Sequence, residues 1–211
     1  MMNQKLKAIA SLIDKKDIVL DTCCDHAYLA IYLKKNKLCK DVFASDINIH
    51  ALEQAKKNIL ASGLIIPTYL SDGFLDITNE SINTVVIAGV GASTVLHILD
   101  GAPKRISKFI ISSNNHQEEL RKELYKRELY IQKEIIVFEK GKCYVILLVT
   151  KQKLKENKLS LKYGKSNNKE YFEYLLEKEK DILKKIPKNK IYMRFKCYLN
   201  IKELKYIIKR M

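Results

Sequence analysis

Between residues 17 and 112 the chain repeats one pattern: a short apolar run, a polar turn, then apolar residues at helical spacing. The apolar runs predict strands at 17–22, 41–46, 65–70, 83–88 and 107–112. Helices are expected at 26–36, 48–61, 92–100 and 116–128. Val85-Val86-Ile87-Ala88 and Phe109-Ile110-Ile111 are apolar without a break, as strands covered on both faces must be. Such alternation calls for a parallel sheet with right-handed crossovers. Gly63 stands just past the second of these helices, where a glycine closes a helix at C′. An opening helix is expected over 3–13, with Leu6, Ile9, Ala10 and Ile13 on one face.

The pattern changes after residue 128. Two β-rich runs, 130–138 and 142–150, flank Glu139-Lys140-Gly141 and read as a hairpin. Parallel βα units closed by an antiparallel hairpin describe a Rossmann-like α/β sheet of seven strands, the plan of class I S-adenosylmethionine methyltransferases. A NAD-binding sheet would continue in βα units and carry G-x-G-x-x-G, which is absent. Residues 151–166 form a polar, Lys-rich connection. Helices at 168–186 and 189–210, broken at Ile186-Pro187-Lys188-Asn189, then make a coiled-coil-like helical hairpin. Tyr171, Leu175, Ile182 and Ile186 share a face of the first, and Ile191, Phe195, Tyr198, Ile201, Leu204 and Ile208 a face of the second. The division expected is a sheet domain over 1–150 and a basic linker and helical hairpin over 151–211.

Charge separates the same two parts. Residues 1–150 hold 20 Lys/Arg and 17 Asp/Glu, a net +3, whereas residues 151–211 hold 19 and 7, a net +12. A localised basic excess is the footprint of a polyanion partner, although a Lys-rich solvated surface has the same count. With 47% hydrophobic residues the chain can build a sizeable core. No apolar stretch reaches the ~18 residues of a membrane span, and the amino terminus lacks a signal-peptide core. The five cysteines show no C-x-x-C pair, which suits neither a disulfide framework nor a zinc site. A reducing cytoplasm, with no membrane and no metal, is the expectation.

Chemistry concentrates at strand ends. Ile18-Val19-Leu20 ends in Asp21, and the turn Thr22-Cys23-Cys24-Asp25-His26-Ala27-Tyr28 leads into the next helix. In an open α/β sheet this is where backbone N–H groups and carboxylates meet a nucleotide-like ligand. Asp21 can accept from a cofactor amine or from loop amides. Asp25 can cap the helix or place a carboxylate at the mouth of the crevice. His26 sits at the same mouth, as a functional group or a hydrogen-bonded surface residue. Tyr28 can stack on a base, but packing on the sheet is the simpler role. Asp46 ends the second strand at about the spacing of a ribose-binding acid. Asp72-Gly73 follows the third strand, on the adenine side, and Gly73 alone would mean only a turn. Gly89 and Gly91 follow the fourth, where they let backbone approach both cofactor and target or simply turn the chain.

Several of these segments together resemble the bacterial tRNA (adenine-22-N1)-methyltransferase family. Asp25-His26-Ala27-Tyr28-Leu29 resembles its Asp-His-Ala-Tyr-Leu-Pro signature, and Ile87-Ala88-Gly89-Val90-Gly91 its Ile-Ala-Gly-Met-Gly-Gly turn. Asn114-Asn115 stands at its Gln-Pro-Asn-Asn run, and Gly141-Lys142-Cys143-Tyr144 resembles its Gly-Lys-Phe-Tyr hairpin. The chain departs from the family where Cys23 and Ala92 replace glycines, Ala30 a proline, and Ser112-Ser113 the Gln-Pro.

The resemblance implies S-adenosyl-L-methionine as cofactor, tRNA as partner and adenine N1 as the methylated atom. It implies a cofactor site of Asp21, Cys23, Asp25, His26, Asp46 and Ile47 in the first half of the sheet, with Asp72, Gly73, Ala88, Gly89 and Val90 beyond. Asp25, His26 and Asn114 would face the base, Asn114 through both donor and acceptor of its amide. The Asn/Asp-Pro-Pro-Tyr motif of many amino-methylating enzymes is missing after the fourth strand, which fits a ring nitrogen as nucleophile. A monomer is expected. The alternatives are an RNA-binding protein that kept the fold without the chemistry, which Cys23 and Ala92 favour, and a small-molecule methyltransferase, which the basic carboxyl-terminal part disfavours.

Overall fold

The computed structural model describes residues 3–211. In chain order its elements are α1 (Gln4–Ala10), β1 (Ile18–Thr22), α2 (Tyr28–Lys35), β2 (Asp41–Asp46), α3 (Ile49–Ala61), β3 (Thr68–Leu70), β4 (Thr84–Ala88), α4 (Ala92–Asp100), β5 (Lys108–Ser112), α5 (Gln117–Lys126), β6 (Tyr130–Glu139), β7 (Lys142–Thr150), α6 (Lys158–Tyr163), α7 (Lys169–Lys185) and α8 (Ile191–Lys209). The strands form one seven-stranded sheet in the order β3-β2-β1-β4-β5-β7-β6. β1 to β5 run parallel, and β7 and β6 join antiparallel. This is the expected α/β architecture with its closing hairpin. Lys140 and Gly141, at φ 49° and 73°, form the two-residue turn between β6 and β7, the positive pair that matches strand twist.

Alternation in the strands sends side chains to two cores. Leu20, Phe43, Val85, Ile87, Phe109 and Ile111 pack with α4 and α5 on one face. Val19, Val42, Ala44, Val86 and Ile110 pack with α1, α2 and α3 on the other. Tyr163, Tyr171, Phe172 and Leu204, from α6, α7 and α8, are buried in the first of these cores. The carboxyl-terminal helices are therefore seated on the sheet.

Three expectations are corrected. The third strand covers Thr68–Leu70 instead of 65–70: Ile65 is exposed, and Pro67 has no N–H to give to a ladder. The connection at 151–166 contains α6, opened by a capping box in which Asn157 and Ser160 satisfy each other's backbone N–H groups. Only part of the apolar face assigned to the last helix packs: Leu204 is buried with Cys197, while Ile191, Phe195 and Tyr198 are exposed. In α7, Ile182 is likewise exposed.

Candidate active site

Chain order reverses between β1 and β4, so the loops leaving their carboxyl ends diverge and open a crevice. Two adjoining hollows of about 480 and 490 Å³ lie there and share Cys23, Ile47 and Thr94 as walls. Asp72, Gly73, His97 and Ile98 bound the first. Asp21, Asp25, His26, Asp46 and the β4 turn Ala88-Gly89-Val90 bound the second. The eleven residues assigned to the cofactor from sequence all line this one cleft. Asn114 stands just outside it, its Nδ2 donating to the Gly89 carbonyl at 2.6 Å.

The loop after β1 is tightly wound. Cys23, Asp25 and Ala27 have φ of 53°, 47° and 54°, a left-handed conformation costing non-glycine residues about 1–3 kcal/mol each. Neighbouring groups hold it there. The Cys24 N–H donates to the Ser45 carbonyl at 3.0 Å, and the Asp25 N–H to Asp46 Oδ2 at 3.1 Å. The other Asp46 oxygen accepts from the Asn48 N–H at 2.9 Å. Asp46 thus joins the first two loops, and each of its oxygens keeps a further lone pair.

Asp21 is buried beneath this loop. Burial pushes its carboxyl up to about 7, the Asp46 charge pushes the same way, and a hydrogen bond from the Ala30 backbone opposes both. Ala30 lies in the first turn of α2, so Asp21 lies beneath that helix end as well as facing the cleft. Asp25 is not the helix cap. The N-cap of α2 is Ala27, with no side-chain cap bond, and the Asp25 carboxylate is 69% exposed, 3.6 Å from His26 Nε2. Tyr28 does not pack on the sheet: it is exposed and stacks on His26 at 5.2 Å between ring centroids. His26 Nδ1 is buried without a partner among the described residues. The Cys23 thiol is pushed up to about 11, by burial first and then by Asp46 and Asp21, so it is a neutral wall between the hollows.

The far side is built by the fourth and fifth strands. The Gly89 N–H donates to the Ser112 carbonyl at 3.1 Å, and the Asn114 N–H to the Val90 carbonyl at 2.9 Å. Asn115 Oδ1 accepts the Ala92 N–H at 3.0 Å and so replaces the side-chain cap that Gly91 cannot give α4. A Cβ on Gly91 would sit 3.3 Å from that oxygen, so glycine is used there for close approach. Ala92 is the first residue of α4, where a Cβ is tolerated. Asn114 gives one Nδ2–H to Gly89 and keeps its second Nδ2–H and its Oδ1, so a donor and an acceptor both remain.

Sequence reading missed Ser93, Thr94 and His97 on α4, and Lys5 and Leu6 on α1. His97 Nε2 lies 3.0 Å from Asp72 Oδ1. Ser93, Thr94 and His97 are polar positions on one side of an otherwise apolar helix just past a strand end, the signal that could have marked them. Nothing local marks Lys5, which reaches the cleft only through the fold.

Two neighbouring acids at strand ends, both buried and neither with a cationic partner among the described residues, suit a ligand with a ribose diol and an ammonium group. The residues therefore fit S-adenosyl-L-methionine. Among the described residues no group of three His, Cys, Asp or Glu could hold a metal ion.

A seven-stranded sheet of this order with an acid-lined cleft at its switch point defines a class I methyltransferase domain. Residues 2–147 match a family described as a methyltransferase domain. A solved structure of M. capricolum TrmK in complex with S-adenosyl-homocysteine is 30% identical, covers 99% of this chain and 98% of that one, and superposes with a TM-score of 0.87. Streptococcus pneumoniae Sp1610 in complex with S-adenosyl-L-methionine is 25% identical, covers 99% of this chain and 100% of that one, and has a TM-score of 0.89. The tRNA (adenine(22)-N(1))-methyltransferase of Bacillus subtilis is 29% identical over 152 residues, 70% of this chain. That match spans 64% of the Bacillus protein's length, somewhat under two thirds. The chain belongs to the bacterial tRNA (adenine-22-N1)-methyltransferase family.

Proposed function

We propose that this protein methylates N1 of an adenine, adenine-22, in tRNA, with S-adenosyl-L-methionine as donor. The observation that carries the reading is the single cleft whose Asp21 and Asp46 await a diol and a cation, and whose mouth opens beside Gly89 and Asn114. The relatives' names supply the substrate.

Each residue role follows from its place. Asp46 accepts from the ribose hydroxyls through its remaining lone pairs. Asp21, ionised, pairs with the amino-acid ammonium. Ile47 and Ile98 flank the adenine slot, and Asp72 and Gly73 close its edge. The backbone of Cys23, Ala88, Gly89 and Val90 walls the reacting centre. The cofactor, when bound, supplies an electrophilic sulfonium methyl. Adenine N1 has an in-plane lone pair and needs no base to remove a proton, so the protein's task is placement for in-line transfer.

Placement falls to Asn114, whose Oδ1 accepts from the adenine amine, and to the His26–Tyr28 stack at the mouth. Asp25 faces a base that becomes cationic as the methyl arrives, and a fixed carboxylate stabilises that charge. A paired or stacked target must first leave its stack. The basic hairpin α7–α8 grips the tRNA backbone, and residues 1–150 hold the cofactor. No helix among the described residues is long and apolar enough to cross a membrane, and the reading places a monomer in the cytoplasm.

The test is methyl transfer to transcribed tRNA carrying adenine at position 22 and to the same tRNA carrying guanine there. Transfer to the first alone is expected. Equal transfer to both would reject the position, and transfer to neither would favour the RNA-binding alternative.

A further inference from the structure

A second basin of about 600 Å³ adjoins the cleft, within the usual range of ligand pockets. The loop between β5 and α5, the β6–β7 turn and α7 form its walls. Lining residues of basin and cleft touch one another, and the Asn114 N–H bond to the Val90 carbonyl is one such contact. Asn114 lines the basin and bonds Gly89 of the cleft. Lys5 lines the cleft, and its Nζ lies 5.1 Å from the centroid of Tyr144, which lines the basin.

The two hollows have opposite charge. Asp21, Asp25, Asp46 and Asp72 line the cleft. Among the described residues no carboxylate lines the basin, while Lys142 and Lys178 do. Glu134 and Glu170 act on Cys143 from outside the lining, and Glu119 lies 3.5 Å from the rim residue His116. Lys178 Nζ is 5.1 Å from the Tyr174 centroid, so a cation and an aromatic ring are presented together. Gln117 gives its Nε2 to the Ser113 carbonyl at 2.8 Å, and its Oε1 is buried without a partner among the described residues. An unpaired buried acceptor of this kind costs about 1–3 kcal/mol until a donor arrives.

We infer that this basin binds the RNA nucleotide adjoining the target adenine, with its phosphate between Lys142 and Lys178 and its base against the tyrosine and amide walls. Cations for phosphate, rings for stacking and a free acceptor for a base amino group are the parts of a nucleotide subsite. The position suits a neighbouring nucleotide, because lining residues of basin and cleft touch directly at Asn114–Gly89, Asn114–Val90 and Lys5–Tyr144. α7 supplies Tyr174 and Lys178, so the carboxyl-terminal hairpin completes the subsite as well as adding charge. The inference rests on the tRNA-methylation reading.

Both lysines are exposed, so the double variant K142A/K178A should fold as the wild type does. Its steady-state kinetics with transcribed tRNA should show KM raised about tenfold or more. The slope of log(kcat/KM) against log salt should fall by about one, for the one phosphate no longer neutralised. S-adenosyl-L-methionine affinity by calorimetry should stay within twofold. K56A/K57A, which removes two exposed lysines of α3 away from both hollows, should leave KM and slope unchanged. If wild type methylates tRNA and both double variants behave like it, the subsite is wrong and the methylation reading stands. If wild type transfers no methyl to tRNA, both fall.

Discussion

Arg121 and Glu134 form an ion pair with 1% and 0% of their side chains exposed. Gly164, at φ 95°, passes so close that a Cβ there would lie 2.5 Å from Glu134 Oε1 and 2.7 Å from an Arg121 nitrogen. The Lys165 N–H donates to Glu134 Oε2 at 2.9 Å, and Tyr171 Oη lies 3.4 Å from Arg121. The pair therefore ties α5 and β6 to the link before α7, and holds the carboxyl-terminal hairpin against the sheet.

Glu134→Gln should be strongly destabilising, because it leaves the Arg121 charge buried and unpaired. The expected loss is about 3–5 kcal/mol, or roughly 10 °C in melting temperature for a chain of this size. Gly164→Ala should act in the same direction. The exposed pair Lys122–Glu118, cut by Lys122→Ala, should cost under about 0.5 kcal/mol. Thermal melts of the three variants check this ordering.

Asp21 predicts opposite pH trends for stability and cofactor binding. Its carboxyl rises from 3.8 to about 7 on folding, chiefly by burial. The stability it contributes to the cofactor-free protein is full below pH 3.8 and is lost as pH climbs through about 7, on the order of a few kcal/mol. Pairing with a cationic ligand needs the ionised form, so affinity should rise with pH up to about 7 and then level off. Asp21→Asn keeps an acceptor for Ala30. It should melt higher than wild type at pH 8 and bind cofactor weakly, with little dependence on pH. Calorimetry and melts between pH 5.5 and 8.5 decide it, and a wild-type affinity flat across that range would contradict the assignment.

Asp25→Asn should lower turnover about tenfold or more while leaving cofactor affinity and melting temperature near wild type. Its carboxylate is exposed and caps no helix, so little folding energy is at stake. An interaction that strengthens only in the transition state is lost from kcat. Single-turnover methylation at saturating tRNA and cofactor is the check, and a rate within twofold of wild type would remove Asp25 from the chemistry.

The sheet was legible because β1, β2, β4 and β5 each hold at least three consecutive apolar residues and their helices carry clear periodicity. The acids at positions 21, 46 and 72 were legible because a strand end is a fixed place in such a sheet. Other features depend on tertiary contact. Asp25 has a cap's place in the sequence, but the N-cap of α2 is Ala27 and the Asp25 carboxylate turns out to solvent. Asn115 gave no local sign of capping α4 across a gap of 23 residues. Ile191, Phe195 and Tyr198 have helical spacing but lie on a part of α8 with nothing packed over them. The short helix α6 was hidden among lysines that dilute its apolar signal.

The hairpin's share in RNA binding should be separable from the cleft. Lys184, Lys188 and Lys190 are exposed around the α7–α8 turn. Reversing all three to glutamate should weaken tRNA binding at least tenfold and flatten its salt dependence, since the slope falls by about one for each phosphate left without its cation. Cofactor affinity should not change. Filter binding from about 50 to 200 mM salt reads both quantities.

The most direct test of the whole account is nucleoside mass spectrometry of unmodified tRNA after incubation with S-adenosyl-L-methionine and either wild type or Asp46→Ala. Wild type should yield 1-methyladenosine. Asp46→Ala, which strips the ribose acceptor and loosens both loops, should fold yet yield less than about a hundredth as much at limiting cofactor, from charge-assisted bonds worth about 1.5–3 kcal/mol each. Methylation of any other nucleoside, no methylation at all, or equal yields from the two proteins would contradict the claim that this cleft methylates adenine N1.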